Sequence, residues 1–203
     1  MSRDEIQKLL LRNATPGKQS ISTAEGLEVA RAAAAHAREL NIACAVAGGL
    51  AMHLYGFTRA TTDVDFIAAA LLGWPPADRI SCGGASYATQ AAGRDIAHDW
   101  IVRDDFFRDF YEAALRDAIE TEQGLRVISP EWMVIIKYIS GRGKDQIDLL
   151  WLLQQPGLVD RALVRGHMTA VLGDRGAALP LRELERYFMQ ADLTETGERE
   201  NKG

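Results

Sequence analysis

Asp63 and Asp65 stand one residue apart in "TRATTDVDFIAA", a segment otherwise built from apolar and small residues. On a strand, residues i and i+2 point to the same face, so both carboxylates project side by side about 7 Å apart. Two unpaired anions so placed repel each other and lose hydration on burial. A divalent cation resolves the conflict, because Mg2+ takes hard oxygen ligands and keeps water and substrate phosphates in its shell. Just upstream, "IACAVAGGLAMHLYGF" is an apolar run that ends at Gly48 and Gly49 and continues in a short helical pattern. Glycines there let a ligand approach the backbone, and the first N–H groups of a helix are open to phosphate oxygens. Strand, Gly-Gly, helix and a strand bearing D-x-D thus make a phosphate cradle facing a metal site. Each part alone has a plainer reading. D-x-D arises in any strand with a solvated face, and Gly-Gly makes a turn; the combination is what carries specificity.

These residues need elements to hold them. Ser22 stands three residues before Glu25, a capping-box spacing that opens a helix over about 22–41. The runs at 42–49 and 62–69 read as buried strands with a short helix between them. In the second strand Val64 and Phe66 face one way, and Asp63, Asp65 and Ile67 the other. "LLGWPPADRISCGGAS" is loop-like, and "SYATQAA" and "DIAHDWIVR" read as two strands around a turn at Gly93. "DDFFRDFYEAALRDAIE" is a helix with acids in its first turn, and "GLRVIS" a last short strand. From the Ser129–Pro130 pair onward the pattern is helical, with a Gly-Arg-Gly break and further helices over about 158–172 and 177–190.

The expected architecture is α/β (α+β): a small mixed sheet with flanking helices over residues 21–128, then a C-terminal helical part over 129–190. Residues 1–20 form an N-terminal segment, and the polar stretch 191–203 suggests a tail without structure. Hydrophobic residues make up 47% and charged residues 25% of the chain, ordinary for a globular protein. The net charge of −5 does not favour general adhesion to nucleic-acid backbones. Cys44 and Cys82 form no C-x-x-C and suggest neither a disulfide framework nor a zinc site. No signal peptide and no membrane span is read, so the expected setting is the cytoplasm.

The stretch "GGLAMHLYGFTRATTDVDF" resembles the Gly-Gly/Gly-Ser and D-x-D signature of the polymerase-beta-type nucleotidyltransferases, most nearly the minimal branch that includes AbiEii-type abortive-infection toxins. A second block, "SPEWMVIIKYISGRGKDQIDLLWLL", is similar to a later segment of the same branch and follows in the right order. The resemblance covers roughly residues 40 to 155. It implies that Gly48 and Gly49 contact a nucleoside triphosphate and that Asp63 and Asp65 ligate Mg2+ (or Mn2+). The family needs a third carboxylate on a neighbouring strand. Asp99, mid-strand in "DIAHDWIV", is the candidate, with Asp95 and Asp104 at strand or helix ends. Lys137 would neutralise phosphate charge, and Lys144, Asp145 and Asp148 would lie on the next helix. Arg59 would reach the triphosphate.

The implied chemistry is nucleotidyl transfer, in which an acceptor hydroxyl attacks the α-phosphate and pyrophosphate leaves. Two metal ions held by three carboxylates would activate the nucleophile and stabilise the leaving oxygens. The acceptor would be an RNA such as a tRNA, a protein or a small molecule, and a cognate antitoxin is a possible partner by resemblance. One departure is visible: Gly49 stands where serine is common, leaving only a backbone N–H for phosphate. The rival reading is a non-catalytic nucleotide-binding or protein-interaction relative on the same scaffold.

Other constellations weigh less. His98–Asp99 lies in a strand pattern and lacks the helical ligands of an HD phosphohydrolase. "GRGKDQ" misses the P-loop spacing. His36, His53 and His167 read as surface or core fillers, and Trp132, Trp151, Tyr138 and Phe188 as packing residues. Arg161, Arg165, Arg175, Arg182 and Arg186 could form a basic strip on the helical part.

Overall fold

The computed structural model describes residues 19–122 and 124–200, the last seven by backbone alone. The expected N-terminal segment therefore lies almost wholly outside the described residues. The chain divides into two compact units that meet between Ser129 and Pro130.

The first unit is a mixed sheet with helices. Helix α1 (Thr23–Glu39) is followed by β1 (Cys44–Ala47), α2 (Gly48–Leu54) and β2 (Asp63–Ala68). Then come β3 (Asp78–Arg79), β4 (Gly84–Ala91), β5 (Arg94–Ile101), α3 (Arg108–Arg116), β6 (Ile119–Glu120) and β7 (Arg126–Val127). The seven strands are ordered β3-β4-β5-β2-β1-β7-β6. β2 runs antiparallel to β1 and parallel to β5, while β4 and β5 form an antiparallel pair across the turn at Gly93. The expected helix over 104–120 is shorter, because Asp105 accepts from the Phe107 N–H and from Arg103, which holds residues 103–107 in a loop before α3.

Side-chain alternation decides which face of the sheet is core. Phe66, Trp100 and Ala85 are register partners across β2, β5 and β4, as are Val64, His98 and Tyr87, and all six are buried. The Phe66 and Trp100 rings stack with centroids 5.0 Å apart, and Tyr87 stacks on His98 at 5.8 Å. Burying such side chains contributes about 1.5–3 kcal/mol each. Trp100 Nε1–H donates to His98 Nδ1 (2.8 Å), so His98 Nε2 carries the ring proton and faces Thr89 Oγ1 at 3.1 Å. Burial pushes the His98 imidazole down to about 4, which keeps it neutral within this aromatic layer.

Helix α1 starts as the sequence predicts. Ser22 Oγ accepts from the Glu25 N–H (3.2 Å) and Glu25 Oε2 accepts from the Ser22 N–H (2.7 Å). Glu25 Oε1 also accepts from Arg94 Nη2 (2.9 Å), which fastens the start of α1 to the start of β5.

The second unit is helical: α4 (Pro130–Ser140), α5 (Gly143–Gln154) and α6 (Arg161–Glu200). Gly173 (φ 68°, ψ 166°) interrupts α6 and splits it into two helices, close to the expected division. The halves fold back on each other, with Arg161 Nη2 on Asp192 (2.6 Å) and Arg165 Nε on Glu185 (2.6 Å). The tail expected to lack structure is instead helical through Glu200, with residues 201–203 outside the described set. Asp192 held by Arg161 and the buried Ala191 anchor its beginning. The Arg161 and Arg165 pairings also take two members out of the expected basic strip.

The Ser22 N–H and the Arg94 guanidinium hold the Glu25 carboxyl down to about 2 from an ordinary 4.5. Its contribution to stability is therefore present above pH 4.5 and fades as pH falls toward 2. Glu25→Gln should lower Tm at neutral pH, and thermal melts from pH 7 to 2.5 should show the deficit shrinking below pH 4.5.

Candidate functional site

The D-x-D strand is placed by its neighbours. In register, Ala47, Asp65, Asp99 and Ser86 form one row across β1, β2, β5 and β4. Paired positions in adjacent strands share a face, so Asp65 and Asp99 lie side by side. Asp63, two residues before Asp65, projects from that face in register with Ala97. All three aspartates are half-exposed, whereas the alternate positions Val64, Phe66, His98 and Trp100 are fully buried. Asp99, the residue expected to supply a third carboxylate, thus lies on the strand next to Asp65.

Gly48 begins α2 directly after Ala47, with φ +56°. A Cβ built there would lie 1.7 Å from Asp65 Oδ2 and 2.8 Å from Asp65 Cβ. Glycine is therefore needed twice over, for the left-handed backbone and for the carboxylate that fills the space of a side chain. At Gly49 a Cβ would meet Thr61 Oγ1 at 2.4 Å. The sequence pattern alone suggests that both glycines leave room for a ligand. In the structure the room above them is taken by Asp65 and Thr61, so the glycines act first by letting α2 close onto the D-x-D segment.

Thr61, Thr62 and His53, which no sequence motif marks, hold that segment. Thr61 Oγ1 donates to the Asp63 carbonyl (3.2 Å), with Asp63 Oδ1 3.5 Å away, and Thr62 Oγ1 lies 3.4 Å from Asp63 Oδ2. The Thr61 carbonyl accepts from the Ile21 N–H (2.8 Å). His53, read as a filler, is buried on α2. Its Nε2–H donates to the Arg59 carbonyl (2.6 Å), which leaves Nδ1 to accept from Thr23 Oγ1 (3.0 Å). Tyr55 donates its hydroxyl to the Ile128 carbonyl. Sequence offered one faint signal for His53: it lies four residues after Gly49, on the same side of the short helix. Arg59, expected to reach a triphosphate, is buried and donates from Nη1 to the Ala60 carbonyl (3.1 Å).

The donor chemistry on this face suits a hard divalent cation, since every candidate ligand is a carboxylate. Among the described residues, however, no three His, Cys, Asp or Glu side chains are gathered closely enough to hold one ion.

In the second unit, Lys137 on α4 is buried, as are Asp145 and Asp148 on α5. Lys137 Nζ lies 2.7 Å from Asp145 Oδ1 and 2.7 Å from Asp148 Oδ2. Arg142 Nε reaches Asp145 Oδ2 at 2.5 Å, so two cations balance two anions. Burial pushes the Asp145 carboxyl up, but Lys137 and Arg142 outweigh it and hold the group at about 2. The expectation that Lys137 neutralises phosphate therefore meets an ammonium already held by two internal carboxylates. Lys144 is half-exposed in the first turn of α5. Trp132, Trp151 and Phe188 are buried, as packing residues should be, and His167 stacks on Trp132 at 4.5 Å.

No family model matches the sequence, and no curated protein matches it. Among solved structures, the chain is similar to an antigenic nucleotidyltransferase-like protein from Paracoccidioides brasiliensis. The two are 17% identical, with 84% of this chain and 95% of that chain covered and a TM-score of 0.48. A likeness of that degree says nothing of activity or of residue roles. Among the described residues, no helix is long and apolar enough to cross a membrane.

Gly48→Ala should cost about 2 kcal/mol or more of stability in urea denaturation. Adding Asp65→Gly should recover about 1 kcal/mol, because it removes the overlapping partner. Lys137→Met should cost about 3–5 kcal/mol in the same assay, since it strands two buried carboxylates. A loss below about 1 kcal/mol would show that the ammonium is not needed inside the fold.

Proposed function

We propose that this chain is a Mg2+- or Mn2+-dependent nucleotidyltransferase that moves a nucleoside monophosphate from an NTP to an acceptor hydroxyl. The observation that carries the reading is the row in which Asp65 and Asp99 stand side by side, with Asp63 on the same face and Gly48 against Asp65. Asp63, Asp65 and Asp99 would hold the divalent cation after their side chains turn toward one point, since among the described residues no three such groups are gathered closely enough as they stand. The cation would supply positive charge to the phosphates and acidify the attacking hydroxyl. Thr61 and Thr62 orient Asp63, and Gly48 fixes where the Asp65 carboxylate can lie. The backbone N–H groups at Gly48 and Gly49 would meet phosphate oxygens. With little covalent work for the protein, positioning and charge stabilisation would supply the rate.

The acceptor class is an RNA such as a tRNA, a protein or a small molecule. A role in a toxin–antitoxin or phage-defence pair, with a cognate antitoxin as partner, rests on the sequence resemblance alone. A second reading, a nucleotide-binding or protein-interaction relative without catalysis, draws on a different observation. Lys137 and Arg59, both expected at phosphate, are engaged inside the protein.

Incubation with each labelled NTP, Mg2+ and cell extract separates the two. Label transfer should occur with the wild type, vanish in Asp63→Ala/Asp65→Ala and fall at least about 100-fold in Asp99→Asn. Absence of transfer that depends on these aspartates, together with retained NTP binding, would establish the non-catalytic reading.

A further inference from the structure

Two neighbouring cavities in the first unit lie at the opposite end of the strands from the aspartate row. One, of about 280 Å3, is lined by Arg38 from the last turn of α1, Arg126 from β7, Asn41, Ile42 and Cys44, among others. The other, of about 290 Å3, has apolar walls that include Ile67, Val102, Tyr111 and Leu115. Ala43 and Arg126 line both.

Among the described residues, the first cavity has two guanidiniums and no carboxylate in its lining. Arg126 Nη2 donates to the carbonyls of Leu115 (2.7 Å) and Arg116 (3.3 Å) at the end of α3, which neutralises no charge. Among the described residues, neither Arg38 nor Arg126 forms an ion pair with a carboxylate. The arginines around the second cavity differ. Arg103 is paired with Asp105, Arg108 with Glu112 and Arg116 with Asp117. Arg38 and Arg126 are thus the lining arginines without a contact ion pair, with Glu120 opposite Arg126 in register across β6 and β7. Cys44 does not offset the charge of the two arginines, because burial pushes the thiol up to about 11 even though Arg126 and Arg38 draw it down.

We propose that Arg38 and Arg126 form an anion clamp for a small phosphate ester whose apolar body lies in the adjoining cavity. Two planar guanidinium forks match the three terminal oxygens and double charge of a phosphate ester, whereas a carboxylate offers two oxygens and one charge. The apolar walls reward an ester over the bare ion. The proposal is independent of nucleotidyl transfer, since it uses none of the aspartate row.

Isothermal titration in EDTA tests it with phenyl phosphate, inorganic phosphate and benzoate, so that no divalent-cation site takes part. Phenyl phosphate should bind the wild type at least about tenfold more tightly than either of the other two, and about tenfold more weakly to Arg38→Gln. Arg126→Lys should weaken it similarly. Because Arg126 also holds the end of α3, the Arg38→Gln variant, whose side chain holds no other element among the described residues, decides the matter. Absence of binding, affinity unchanged in Arg38→Gln, or equal affinity for inorganic phosphate or benzoate would overturn the proposal.

Discussion

The close approach of α2 to β2 is the constraint on which the first unit depends. Gly48, directly after Ala47, is itself left-handed, and the Asp65 carboxylate lies where a side chain at Gly48 would be. Because Ala47 and Asp65 are register partners, the helix can start there only if the strand presents Asp65 on that face. A one-residue slip would turn Asp63 and Asp65 into the aromatic layer and bring Val64 and Phe66 out. The hydrophobic pattern and the glycine thus enforce the same register from opposite faces. That is why two charged residues can persist in a strand whose other side chains are buried.

The same register extends the constraint to β5. His98 and Trp100 are committed to the core by their rings and by the Trp100-to-His98 hydrogen bond, which leaves Asp99 no choice but the other face. Around this row the loop before β2 is held at several points. His53 grips the Arg59 carbonyl, Thr61 fits against Gly49, and the Ile21 N–H meets the Thr61 carbonyl. Such ties hold the D-x-D segment within a narrow range of positions.

The helical unit meets a different problem. Asp145 and Asp148 are three residues apart on α5 and fall on one side of it, where both are buried. Burying two carboxylates is costly unless their charge is matched, and Lys137 with Arg142 matches it. The arrangement accounts for a lysine and two aspartates in the second sequence block without requiring a ligand. It also shows that a charged residue inside a recognisable motif can serve the fold before it serves chemistry.

Much of the architecture was legible from local rules. The capping box of α1, the two strands around Gly93, the Ser129–Pro130 start of the helical part and the break near 173 follow from cap, turn and periodicity signals that act within a few residues. The common face of Asp63 and Asp65 likewise follows from strand alternation alone. What sequence could not specify was which strand lies beside which. That β5 pairs in parallel with β2, and so sets Asp99 next to Asp65, depends on long-range contacts formed by the aromatic layer. The space above Gly48, the engagement of Arg59 and Lys137, and the part played by His53 depend on distances between segments far apart in the chain. Spacing along a sequence assigns a residue to a face; only packing decides what that face meets.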